Sequence, residues 1–89
     1  MTAIVTVIGK DHKGIIASVS NCMSGNEINI LDISQTIMQD YFTMIMLVDL
    51  ADTKLEIAEI RENLDTLGND LKVRISLTHQ DVFDAMHRI

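Results

Sequence analysis

"AIVTVIGKDHKGIIASV", residues 3–19, decides how this chain is built. Ala3 to Ile8 is β-branched and almost wholly apolar, the pattern of a strand covered on both faces. A polar loop, Gly9 to Lys13, interrupts it and ends at Gly14. Ile15, Ile16, Val19, Cys22 and Met23 then recur at helical spacing, and Gly25 offers a C-terminal stop. The stretch reads as strand, loop and helix. Its loop is not a nucleotide cradle: Ile15-Ile16 stand where a phosphate-binding lysine and a metal-binding hydroxyl would follow Gly14, and no G-x-G-x-x-G is present.

Working outward, Asn29 to Met38 alternates, with Leu31, Ile33 and Ile37 on one face and Asp32, Ser34 and Thr36 on the other. A turn at Gln39-Asp40-Tyr41 leads to Phe42–Leu50, apolar on both faces apart from Thr43 and Asp49. Thr53-Lys54-Leu55-Glu56 has the spacing of a capping box. The stripe Ile57, Ile60, Leu64, Leu67 behind it predicts a second helix, ended by Gly68. Leu71, Val73, Ile75 and Leu77 alternate with polar residues as a fourth strand, and residues 81–88 predict a short amphipathic helix with His87 and Arg88 at its end.

The order βαββαβ, with right-handed crossovers, predicts an α+β fold. It is a ferredoxin-like sandwich: a four-stranded antiparallel sheet, two helices on one face, and a short C-terminal helix. Strands one and three are expected at the centre because they are apolar on both faces. The uncovered sheet face is then expected to show an apolar middle, flanked by Asp32, Ser34 and Thr36 and by Lys72 and Arg74. Such a patch marks an interface.

The 89 residues are expected to form one domain, 1–89, with a core at 1–80 and a helical tail at 81–89. A core of that size is marginal alone, which favours a homodimer. The net charge of −6 and the scattered lysines and arginines argue against nucleic acid and anionic membranes as partners. Cys22 is the one cysteine, so neither an internal disulfide nor a four-cysteine zinc site is expected. No basic leader and no membrane-length apolar run is visible, and a cytoplasmic setting is expected. His12, His79 and His87 are too far apart for a metal motif. Ser18, Ser20 and Ser24 have no base–orienter set, so neither a catalytic site, a metal nor a cofactor is expected.

The segment Val7 to Ile16, the Asn29-Ile30 pair and Phe42-Thr43-Met44, taken in register, resemble the ACT domain over residues 1–80. The likeness extends to the ACT modules of glycine-cleavage repressors and formyltetrahydrofolate deformylases. It implies a regulatory module holding an amino acid or similar small ligand, usually at a subunit interface. The implied ligand-binding positions are Asp11, His12, Lys13, Gly14, Ile15, Asn29 and Ile30. His12 stands where many members carry arginine, and Lys13 where proline is frequent.

Physical chemistry leaves plainer readings beside these. Asp11 reads equally as a helix N-cap, Gly14 as a site of close packing, and Asn29 as a turn residue. Cys22 reads as core. A structural or partner-binding module without a ligand is the alternative function. Within one chain, the 9–15 loop is expected to meet the start of the second strand.

Overall fold

The structure, a computed structural model, describes residues 1–86. Its elements are β1 (Thr2–Lys10), α1 (Ile15–Gly25), β2 (Asn29–Met38), β3 (Tyr41–Asp49), α2 (Ile57–Leu71), β4 (Val73–His79) and α3 (Gln80–Met86). The four strands form one antiparallel sheet in the order β2-β3-β1-β4. The two strands that read as apolar on both faces are the central ones. His87, Arg88 and Ile89, the expected end of the tail, lie outside the described residues.

Register assigns the faces. Ala3, Val5 and Val7 of β1 align with Val48, Met46 and Met44 of β3, and Val5 and Val7 with Leu77 and Ile75 of β4. All of these are buried. Above them Ile15, Val19 and Met23 of α1 and Ile60 and Leu64 of α2 complete the core. Each helix sends in the residues one turn apart that its periodicity marks.

The opposite face carries Ile4 and Ile8 of β1 beside Leu47 and Thr43 of β3, with Ile45 between them. It is less apolar in exposure than expected. Ile8 and Ile45 are 49% and 38% exposed, but Ile4 is only 7% exposed. α3 lies against β1 and β4, and the Thr2 hydroxyl donates to Gln80 Oε1 at its start. Lys72 does not flank this face from within β4; it precedes the strand.

The ends of the helices differ from the sequence reading. Gly14, not Asp11, occupies the N-cap of α1, and no side chain caps it. Gly25 lies inside α1; the stop falls at Asn26, with left-handed Glu27 behind it. The capping box does not form. Thr53 Oγ1 accepts from the Leu55 N–H, and Glu56 caps α2 without a side-chain bond. α2 runs through Gly68 to Leu71 and ends on Lys72, at φ 58°. Gly68 therefore serves packing: a Cβ there would come 2.7 Å from the Val73 carbonyl oxygen. Leu71 is the end of a helix rather than the start of a strand.

Candidate functional site

The β1–α1 loop is held from two sides. The Asp11 N–H donates to the Asp40 carbonyl, 2.7 Å away, tying the loop to the β2–β3 turn. His12 Nε2 lies 2.6 Å from the Leu71 carbonyl oxygen at the end of α2, and His12 Nδ1 lies 3.1 Å from that of Lys13. Gly14 then takes φ 92°, a conformation that a Cβ disfavours, and beyond its two chain neighbours no residue comes within 4 Å of where a Cβ would stand. Its glycine is set by backbone conformation, not by close packing.

The first intrahelical bond of α1 runs from the Ser18 N–H to the Gly14 carbonyl. The N–H groups of Ile15, Ile16 and Ala17 therefore have no partner within the helix, and no side chain caps them. A hollow of about 190 Å³ opens on this end. Asp11, His12, Gly14 and Ile15 line it, together with Gln35, Ile37 and other apolar side chains. Unpaired N–H groups and the positive end of a helix dipole suit a carboxylate, and the Asp11 carboxylate suits an ammonium.

Asn29 and Ile30 are elsewhere. Asn29 aligns with Asp49 at the far end of β3, whereas Lys10, just before the loop, aligns with Tyr41 at its start. The eight-residue step between those rows corresponds to roughly 26 Å at about 3.3 Å per residue. Within one chain, then, the loop and the start of β2 do not meet. The expectation failed because α1 carries the chain back down the sheet before β2 begins. Asn29 and Ile30 instead border a wider basin of about 850 Å³ with Ser20, Ser24, Glu27 and Asp52. That basin is larger, yet it has two carboxylates and no cation to receive an anion. The smaller hollow has the better chemistry for a zwitterion. Lys13 is exposed and lines neither.

Gln35 and Ile37 were missed as walls of the hollow. A signal existed: Gln35 is the polar residue between Ile33 and Ile37 on the face of β2 that the register turns toward the helices. Cys22 is half-buried against the core, and burial pushes its thiol up, partly opposed by a hydrogen bond from Asn26. No cluster of three or more potential metal ligands occurs among the described residues, and none of their helices is long and apolar enough to cross a membrane.

Comparison with known proteins places this arrangement. The ACT domain pattern matches residues 1–78. The chain belongs to the ACT domain family. A UPF0237 protein of Clostridium acetobutylicum is 51% identical over 89 residues, covering all of both chains. The solved structure of an ACT domain protein from Streptococcus pneumoniae superposes with a TM-score of 0.83 at 40% identity, covering 98% of each chain. A putative glycine cleavage system transcriptional repressor shares the fold, with a TM-score of 0.75 at 23% identity over 86% of this chain and 45% of its own. In this ACT chain the strand–loop–helix of residues 3–19 is thus the family's β1–α1 unit.

Proposed function

We propose that this ACT chain is a non-catalytic regulatory module that binds a free amino acid or a similar small zwitterion at a site shared by two copies. One observation carries the reading: the loop hollow opens beside β2, an edge strand, while Asn29 stands at the other end of that same strand. Two copies paired antiparallel along β2 would bring the partner's Asn29 to the hollow. The carboxylate would lie on the N–H groups of α1. Asp11 and the partner's Asn29 would orient the ammonium. The hollow is below the roughly 300 Å³ at which small-molecule sites begin, which fits a site completed by a second chain.

The exposure of β2 supports the same pairing. Ile33 and Ile37 face the helix side yet are 42% and 55% exposed within one copy. A long apolar edge is a hazard unless it is paired.

The test is a thermal-shift screen over the proteinogenic amino acids, followed by calorimetric titration of wild type and Asn29→Ala. A ligand at about 100 times its Kd adds about 2.7 kcal/mol, which is visible as a melting shift. Loss of the Asn29 amide should cost about 1–3 kcal/mol of affinity where its partner group is left unpaired. Absence of binding at millimolar concentration ends the sensing role. A ligand-free, partner-binding module then takes its place, a reading favoured by the occupation of both His12 nitrogens within the chain.

A further inference from the structure

We propose that the His12 imidazole is a proton-operated latch between the β1–α1 loop and the end of α2. Its two nitrogens face two carbonyl oxygens, Leu71 at 2.6 Å and Lys13 at 3.1 Å. A carbonyl oxygen only accepts, so each bond needs an N–H on the ring. Neutral imidazole has one N–H, and imidazolium has two. Both bonds are made together by the cation alone.

The surroundings suit a cation. Leu71 is the last residue of α2, and its carbonyl belongs to the negative end of that helix dipole. The segments flanking the latch carry several charged groups. Lys10, Asp11 and Lys13 come from its own strand and loop, Asp70 and Lys72 from the end of α2, and Asp40 from the β2–β3 turn. The first turn of α1 has no acid, and Arg74 of β4 aligns with Ile8 on the opposite sheet face.

Loss of the proton leaves one N–H, which stays on the shorter contact to Leu71. The Lys13 carbonyl then faces a ring lone pair at 3.1 Å, and the two repel. The segment that must yield runs through Lys13 into Gly14, whose backbone tolerates both signs of φ. That segment adjoins the wall of the loop hollow. The proton would therefore set the shape of the hollow. This last consequence rests on the ligand-site reading; the latch does not.

The experiment is an NMR titration of the full chain, labelled with ¹³C and ¹⁵N and without ligand, from about pH 5 to 8. The His12 ring nitrogens and the Leu71 and Lys13 carbonyl carbons are followed together. Both carbonyl signals should move with the midpoint of the ring, and both should stay flat in His12→Gln. A ring that titrates while either carbonyl stays still overturns the latch, as does equal carbonyl movement in His12→Gln. A chain that shows the coupled shifts but binds no amino acid keeps the latch and loses the ligand reading.

Discussion

Gly14 and Gly68 look alike in sequence and act by different physics. Gly14 is needed for its φ of 92°, with open space around it. Gly14→Ala should cost about 1–2 kcal/mol of stability through the left-handed backbone, and Gly14→Asn less. Gly68 is needed for room, since a Cβ would press on the Val73 backbone at 2.7 Å. Gly68→Ala should cost about 1–3 kcal/mol, while Gly25→Ala, with nothing within 4 Å, should be neutral or slightly stabilising. Urea midpoints for the three alanine variants check this order. Cys22 gives a pH prediction. Its thiol is raised above 9.0 by burial, so its contribution to stability is complete below the unfolded value. That contribution is lost as pH rises through the folded value. Unfolding midpoints of wild type should therefore fall relative to Cys22→Ala above pH 9.0, and Cys22 should alkylate more slowly than an unstructured thiol.

At the scale of elements, hydrophobic period was the legible signal and end chemistry was not. The helical stripes and the apolar Phe42–Val48 run locate α1, α2 and the central strands because core burial outweighs local preferences. The ends depend on contacts that a one-dimensional pattern does not contain. Gly68 lies within the helix, where β4 passes too close for a Cβ, and Thr53 bonds Leu55 rather than opening α2. β2 also breaks its alternation: a bulge between Ile30 and Asp32 leaves Leu31 as the extra residue. Asp11, His12, Gly14 and Ile15 share the walls of one hollow, as their closeness in sequence implies, whereas Asn29 lies at the other end of β2 because the length of α1 separates them. Two predictions belong here. Ile33→Lys combined with Ile37→Lys should abolish self-association in sedimentation without loss of secondary structure, since both side chains are exposed within one copy. Truncation after His79 removes α3 and the Thr2–Gln80 bond, and should lower the melting temperature because α3 lies against β1 and β4.

For the whole molecule, sedimentation of wild type at micromolar concentration should show a dimer, with a monomer at every concentration refuting the β2 pairing. Under the proposed pairing, the placement of the loop and Asn29 at opposite ends of the sheet would have a genetic consequence. A chain defective in its loop and a chain defective in Asn29 would each be silent alone. In the mixed dimer, both lesions fall in one site and the other site is assembled wholly from intact halves. Co-refolding the two defective chains in equal amounts should restore about a quarter of the wild-type binding capacity, as random pairing of a two-fold dimer requires. A site built within one chain would show no such complementation, so two inactive proteins mixed in one tube would report on which copy each half of the pocket belongs to.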